Sequence, residues 1–359
     1  MKQIIDGLSY PIILSDDAAG EVVASLAPNA SGVALIYDSA VHERAAALRA
    51  ALERNGARVQ AELPLGMNER KKNQRTATAL YDALLSAGAD RRTVIVAVGG
   101  GTLTDVAGFV AATYLRGVDW IAVPTTLLGM VDAAIGGKTG IDLPQGKNMV
   151  GAFWEPAAVV ADISALATLP LKQRRSGLAE VVKAGVIGDP MLLETLRRHS
   201  LRATPQAWLP LIAAAARVKV TCVASDMRDC GVRAALNLGH TAGHAIEAVS
   251  RYRMPHGYAL SIGLRVAGIL ARDRTGWPLA DHSTMVRRLQ RLRLPLSLPP
   301  FPIEELVEAM RVDKKRAHDA LRFVLPLHIG AVQSGIAVPL DEVRAALRGV
   351  QQPPAEGGW

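Results

Sequence analysis

The sequence predicts an α/β fold in which an α/β domain is followed by a mainly helical domain. In the first part of the chain, short apolar segments of strand length alternate with helix-like segments. From about Leu169 onward, helical patterns dominate and strand signals are few. The chain has 359 residues, more than one domain usually contains, so we expect two domains, at residues 1–165 and 166–359.

The predicted strands of the first domain are apolar along nearly their whole length. They cover residues 32–37, 93–98 and 120–124. Such continuous apolar runs are typical of parallel strands that are buried on both faces. Residues 45–55 and 73–87 have helical character, so this part of the chain predicts βαβ units.

The second domain is predicted to be built mainly from helices. Their expected positions are residues 177–186, 208–223, 240–250, 263–274, 303–311 and 341–348. The last residues, 351–359, are rich in Pro and Gly, and we expect them to be frayed.

Composition and charge exclude several classes of protein. The formal net charge is +8, which fits an anionic small substrate, a nucleic acid or an anionic membrane. The arginine run at 287–293 has no interleaved aromatic residues, so we expect a solvated helix face and no nucleic-acid site. Cys222 and Cys230 form no CxxC pair, which fits a reducing compartment. We find no signal peptide and no apolar run long enough to cross a bilayer, and therefore expect a cytoplasmic protein without a membrane partner.

A glycine-rich turn, Gly99 to Gly101, separates a predicted strand from a predicted helix. Glycines let backbone amides approach a phosphate, and the start of a helix favours negative charge. The spacing is not GxGxxG, so nucleotide binding and a tight structural turn remain equally good interpretations. Asp38, which ends an earlier strand, is placed either to accept ribose hydroxyls or to cap a turn.

Two histidines, His240 and His244, are four residues apart in a predicted helix. They therefore share one helix face, and spacing alone indicates that both bind a metal. For each histidine taken alone, a packed or surface role is the more common one.

Several long motifs, in one order, closely resemble the 3-dehydroquinate synthase family. In the first half they occupy residues 99–109, 112–118, 123–128, 131–140 and 146–153. In the second half they are GLAEVVK at 177–183, LNLGHTAGHA at 236–245, the His256-Gly257 pair and DKK at 313–315. The resemblance covers nearly the whole chain.

This resemblance implies a fold, a reaction and two cofactors. The fold is an N-terminal nucleotide-binding α/β domain and a C-terminal, mainly helical metal-binding domain, with the active site in the cleft between them. The substrate is an anionic sugar phosphate, 3-deoxy-D-arabino-heptulosonate 7-phosphate. It is oxidised by NAD, loses phosphate, is reduced again and closes to a carbocycle, so that NAD is regenerated. The resemblance also implies a divalent metal, zinc or cobalt, and a homodimer.

The resemblance also assigns roles to individual residues. The implied metal ligands are Glu180, His240 and His256. The implied catalytic and substrate-binding residues are Lys138, Lys183, His244, Arg116, Asn148, Lys219, Arg233, Asn237, Lys314 and Lys315. The implied NAD-binding residues are Asp38, Glu69, Lys72, Gly99, Gly100, Gly101, Asp105, Thr125, Thr126, Asp132, Lys138, Lys147 and Thr168. Within these sets, Lys219 and Arg233 hold the substrate carboxylate, and Arg116 reaches the site of a neighbouring subunit.

The sequence departs from the family pattern at three positions. Asn68 replaces a usual Gly, Asp229 an often-found Glu, and Tyr258 a usual Glu directly after His256-Gly257. A carboxylate missing beside a metal ligand changes that ligand's orientation or its affinity. Three alternatives remain: a sugar-phosphate cyclase whose substrate lacks the carboxylate, a metal-dependent alcohol dehydrogenase of the glycerol dehydrogenase type, and a non-enzymatic paralogue that binds NAD as a binding or regulatory protein. The retained Lys219, Arg233, Asn237 and His244 favour 3-dehydroquinate synthase.

Overall fold

The computed structural model describes residues 1–229, 231–313 and 320–352, and these form two compact units. The first unit comprises Met1–Leu169 and Thr204–Val220. The second comprises Pro170–Ala203 and the described residues from Thr221 onward. The predicted domain limits, 1–165 and 166–359, stay a prediction, and no sequence signal had indicated that residues 204–220 group with the first unit.

The first unit is built around a seven-stranded sheet. The strands are β1 (Lys2–Ile5), β2 (Ile12–Ser15), β3 (Gly32–Asp38), β4 (Val59–Leu65), β5 (Thr93–Gly99), β6 (Trp120–Pro124), β7 (Lys138–Leu143), β8 (Gly146–Phe153) and β9 (Ala158–Asp162). The sheet order is β1-β2-β9-β6-β5-β3-β4, while β7 and β8 form a separate hairpin. All neighbours in the sheet are parallel except the β1–β2 pair. The predicted α/β character and the three predicted strands are confirmed.

Helices of this unit cover the sheet. They are α1 (Ala18–Ala24), α2 (His42–Arg54), α3 (Gln74–Ser86) and α4 (Gly101–Thr113). Every residue of β5 is buried, as are the five residues of β6 and of β9. One core cluster packs side chains of these central strands against Leu48 and Leu52 of α2. Burial on both faces explains why these strands read as continuous apolar runs.

The parallel pairing brings three predicted site segments to one edge of the sheet. Tyr37 of β3 lies opposite Val98 of β5, and Gly99 lies opposite Pro124 of β6. Asp38, the glycine turn and Thr125 therefore all follow the carboxyl ends of neighbouring strands. Ligands of open parallel sheets bind at this edge.

The second unit is mainly helical, as predicted. Its helices are α5 (Leu171–Ile187), α6 (Pro190–Arg198), α8 (His240–Val249), α9 (His256–Arg274), α10 (Leu279–Arg291), α11 (Ile303–Asp313) and α12 (Leu340–Gln351). An antiparallel hairpin, β10 (Ala320–His328) and β11 (Ala331–Pro339), also belongs to it and was not predicted.

The remaining helix, α7 (Pro205–Ser225), has 21 residues and corrects one expectation. Among the described residues it is long and apolar enough, by length and composition, to cross a membrane, so the statement that no apolar run reaches that length was wrong. In this protein 56% of its 18-residue apolar stretch is buried, and Trp208 is fully buried. Core helices pass the same test, so the finding is weak evidence for a membrane span.

Candidate functional site

Three helices of the second unit bring a carboxylate and three imidazoles together. Glu180 lies on α5, His240 and His244 on α8, and His256 at the start of α9. Oε1 of Glu180 is 3.0 Å from Nε2 of His256 and 3.4 Å from Nε2 of His240. One nitrogen of each histidine lies within 4.8 Å of the others. The structure therefore groups the three predicted metal ligands, with His244 beside them.

The helix contacts that create this cluster require glycine. A Cβ on Gly257 would lie 1.9 Å from the backbone oxygen of Ser176, so only glycine lets the start of α9 approach α5. Ser176 also receives the Gly257 N–H on its hydroxyl, at 3.0 Å. Gly239, directly before α8, has φ +76°, a left-handed conformation that favours glycine and sets where His240 begins its helix.

Glu247 completes the surroundings of His256 and was missed by the sequence analysis. Nδ1 of His256 donates to Oε1 of Glu247 at 2.7 Å, and Glu247 is 3% exposed. Glu247 follows His244 by three residues and His240 by seven, so it lies on the same face of α8. That spacing was the available signal. Because Glu247 is present, His256 keeps a carboxylate partner although Tyr258 replaces the Glu that usually follows His256-Gly257.

The charges of the cluster are strongly coupled. Burial would raise the pKa of the Glu180 carboxyl, but Lys183, at 2.5 Å, together with the two imidazoles holds that pKa well below its usual range. Burial and the charge of Lys183 lower the pKa of His240 to about 4. Burial also disfavours a charged His256, yet its hydrogen bonds to Glu180 and Glu247 raise its pKa to about 10.

These side chains fit a small divalent cation. When Nδ1–H of His256 donates to Glu247, Nε2 presents a lone pair towards an oxygen of Glu180. Two acceptors at that separation require a shared proton or a metal ion between them. Ligands of a tetrahedral zinc ion, each about 2.1 Å from it, lie about 3.4 Å apart. The distances accommodate either Glu180 or His244 beside the other two histidines, so the predicted ligand set stays a prediction.

In the first unit, the glycine turn joins β5 to α4 without room for side chains. Gly100 is the N-cap of α4, and a Cβ on Gly101 would lie 2.7 Å from Cβ of Ala133. Thr125 donates its backbone N–H to the Gly99 carbonyl at 2.9 Å, and the Thr126 hydroxyl accepts from Gly129 at 3.1 Å. Asp38 accepts from the backbone of Ala40 at 3.1 Å, so in this structure it caps a turn.

A second cluster of predicted NAD residues surrounds Lys72, which is 4% exposed. Its Nζ donates to Asp105 and to Asn148. Burial would lower the pKa of Lys72, but Asp105 and other nearby carboxylates raise it. Burial likewise raises the pKa of Asp105, against the effect of Lys72. Glu69 binds Lys147 at 2.6 Å, so four predicted NAD residues and Asn148 form two adjoining polar groups.

The other predicted residues are placed as follows. Lys219 of α7 binds Asp132 at 2.6 Å within the first unit. Arg233 is 2% exposed and donates to the Met227 carbonyl at 2.6 Å.

Three further predicted residues are exposed, Arg116, Lys138 and Asn237. Thr168 donates its hydroxyl to the Ala165 carbonyl at 3.3 Å. Lys314 and Lys315 lie outside the described residues.

Comparison with known families covers both units. The family model for the N-terminal part of 3-dehydroquinate synthase matches residues 62–176, and the model for its C-terminal part matches residues 177–316. The 3-dehydroquinate synthase of Streptomyces avermitilis is 43% identical over 321 residues, 88% of each chain. That of Thermobifida fusca is 42% identical over 339 residues, 94% of this chain and 92% of its own.

Solved structures share the fold of this chain. A 2-deoxy-scyllo-inosose synthase complexed with carbaglucose-6-phosphate, NAD+ and Co2+ superposes with a TM-score of 0.87 at 25% identity, over 98% of this chain and 100% of the other. A 2-epi-5-epi-valiolone synthase from Streptomyces hygroscopicus, with NAD+ and Zn2+ bound, gives 0.86 at 26% identity, over 97% and 98%. A probable glycerol dehydrogenase from Sinorhizobium meliloti shares the fold, with a TM-score of 0.64 at 15% identity over 95% of this chain and 96% of the other.

Proposed function

We propose that this chain converts 3-deoxy-D-arabino-heptulosonate 7-phosphate to 3-dehydroquinate and phosphate. The chain belongs to the 3-dehydroquinate synthase family, and this is the reaction of that family. The chain is an enzyme of this phosphate-eliminating cyclase type. The observation that carries the specific reaction is sequence identity of 42–43% to 3-dehydroquinate synthases along most of the chain, together with the cluster of Glu180, His240 and His256.

Both cofactors follow from this assignment. Glu180, His240 and His256 would hold the divalent cation, zinc or cobalt, which the related solved cyclases contain. A cation bound there would lower the pKa of a substrate hydroxyl, and bound NAD would supply the reversible hydride chemistry. Lys183 balances the negative charge of Glu180, and Glu247 fixes the ring of His256, so the donor atoms are oriented before the cation arrives.

NAD would bind along the carboxyl edge of the first unit's sheet. The glycine turn at 99–101 would bring backbone N–H groups to the pyrophosphate and offer the N-terminus of α4 to its charge. Asp38 is half-buried at the end of β3 and would exchange its turn hydrogen bond for ribose hydroxyls. The polar groups around Lys72 and Glu69 would bind the remainder of the dinucleotide.

The anionic substrate would be held by cations and amides of the segments that resemble the family motifs. Lys138, Asn148 and Asn237 would contact the phosphate, and Lys219 and Arg233 the carboxylate. His244, which is exposed, would carry protons to and from substrate oxygens. Arg116 would serve the site of a second subunit, so we propose a homodimer. The cytoplasmic location also stays a prediction.

The decisive experiment is phosphate release with catalytic amounts of NAD. The enzyme should release phosphate from the heptulosonate phosphate and leave sedoheptulose 7-phosphate, which lacks the carboxylate, essentially untouched. Preference for sedoheptulose 7-phosphate would instead indicate a cyclase of the valiolone type. Stoichiometric NADH formation would indicate a dehydrogenase.

A further inference from the structure

A depression on the second unit is lined mainly by arginines. It has a volume of about 320 Å³ and lies between the start of α5, the segment after α6 and the end of α10. Four of its nine lining residues are arginines, Arg175, Arg202, Arg291 and Arg293, and none is acidic. None of the described residues assigned to the metal, NAD or the substrate lines it.

Among the described residues, these four side chains have no carboxylate partner, in contrast to Arg197 of the same unit. Arg197 binds Glu194 at 2.6 Å, and Arg288 donates to the Leu193 carbonyl at 2.6 Å. Within the described part of the chain, none of the four lining guanidinium groups pairs with a carboxylate. Nε of Arg175 is buried and has no hydrogen-bond partner among the described residues. Unpaired cations around one cavity repel each other, so the protein gains stability when an anion joins them.

The walls of the pocket are held in place by the fold. The guanidinium of Arg174 donates to the Leu201 carbonyl at 2.9 Å and fixes the segment after α6. Arg293 has φ +55°, the left-handed conformation that glycine usually provides at the end of a helix. In the arginine run at 287–293, Arg287, Arg291 and Arg293 are exposed, as expected from the sequence. Arg291 and Arg293 also line the depression, while Arg288 packs on α6.

We propose that this pocket binds a small polyanion, a molecule with two or more carboxylate or phosphate groups on an aliphatic skeleton. Guanidinium groups bind both kinds of oxyanion bidentately. Leu171, Leu201 and Leu292 supply apolar walls for a short carbon skeleton. The single ring among the described lining residues is the imidazole of His199, which is small beside the arginine and leucine side chains.

Calorimetric titration of two probes tests the proposal. Citrate and inorganic pyrophosphate are titrated into the full chain, into Arg202→Gln/Arg293→Gln, and into the control Arg91→Gln/Arg287→Gln. The control removes the same charge from exposed positions outside the pocket. Ionic strength is held constant in every titration.

The parent and the control should each bind one probe molecule per chain. Arg202→Gln/Arg293→Gln should bind the same probe at least tenfold more weakly. Binding of citrate alone identifies a polycarboxylate ligand, and binding of pyrophosphate alone a phosphate ligand. Equal stoichiometry and affinity in all three proteins, or no binding of either probe, would overturn the proposal. Phosphate release from the proposed substrate is measured in parallel and should remain unchanged in both variants. Because probe binding is measured separately, the pocket is still tested if the proposed substrate is not converted.

Discussion

Nδ1 of His256 lies 2.7 Å from a carboxylate oxygen of Glu247, while Nε2 of the same ring faces Glu180 at 3.0 Å. The first contact fixes the orientation of the ring, and the second holds Nε2 where a cation would replace the proton that it shares with Glu180. A histidine held in this way loses little freedom when it binds a metal.

Replacing Glu247 by Gln or Ala should weaken zinc binding about 10- to 100-fold, because His256 loses a charged partner. Competition with a coloured chelator measures the zinc dissociation constant directly. Glu247→Gln retains an acceptor for Nδ1–H and should lose less affinity than Glu247→Ala. Glu53→Gln, exposed in the first unit, is the control and should bind zinc normally. Unchanged affinity in Glu247→Ala would show that the carboxylate only fills space.

Gly257→Ala should destabilise the protein by about 3 kcal/mol or more. The new Cβ would lie 1.9 Å from the Ser176 carbonyl oxygen, which is backbone and moves only with α5. Urea unfolding measures the loss. Gly349→Ala is a matched control within α12, where the nearest atom to a new Cβ is 3.8 Å away. That variant should be as stable as the parent or slightly more stable.

His282 should make stability depend on pH. Burial, with the nearby charges of Arg272 and Arg265, lowers its pKa to about 4. The unfolded chain binds a proton near the ordinary value of 6.5, so the stabilisation is complete above that pH. It is lost as pH falls from about 6.5 to about 4, by up to about 3 kcal/mol.

Urea unfolding of metal-saturated protein at several pH values tests this. His282→Leu should flatten the slope between pH 4 and 6.5. His328→Leu, at an exposed position on β10, should keep the slope of the parent. Identical slopes in all three proteins would assign the pH dependence to other groups.

Arg233→Ala should lower kcat/KM for the heptulosonate phosphate by tens-fold or more, because a buried guanidinium would lose its pairing with the substrate carboxylate. The variant should also be less stable, since the Met227 carbonyl loses its donor. Zinc affinity separates the two effects and should not change. A kcat/KM equal to that of the parent would leave Arg233 with a purely structural role.

The parts of the molecule predicted best are those fixed by local patterns. The apolar run ending at Val98 and the glycines after it define β5 and the start of α4 without any reference to the rest of the chain. The hairpin β10–β11 was missed because polar residues, such as Arg322 and Gln333, are mixed into its strands. The sequence there shows no clear alternation of apolar and polar residues.

The metal cluster was predictable only through family resemblance. Glu180 and His256 are 76 residues apart, and no local spacing joins them. Spacing favoured the pair His240 and His244, yet the structure adds Glu180 and His256 through the close packing that Gly257 allows. Glu247 had a helical spacing signal, but an acidic residue on a helix is ordinary until its partner is known.

The position of α7 has a consequence for how the chain is made. The first unit includes residues 204–220, so it lacks most of α7 until the ribosome has also synthesised 34 residues of the second unit, Pro170–Ala203. Domains that are continuous in sequence fold one after the other during synthesis. Here a nascent chain ending at Leu169 has no Trp208 to bury, and the first unit must wait for later sequence before its core is closed. Nascent chains of increasing length can be treated with protease. The first unit should therefore become resistant only in chains long enough for Val220 to have left the exit tunnel.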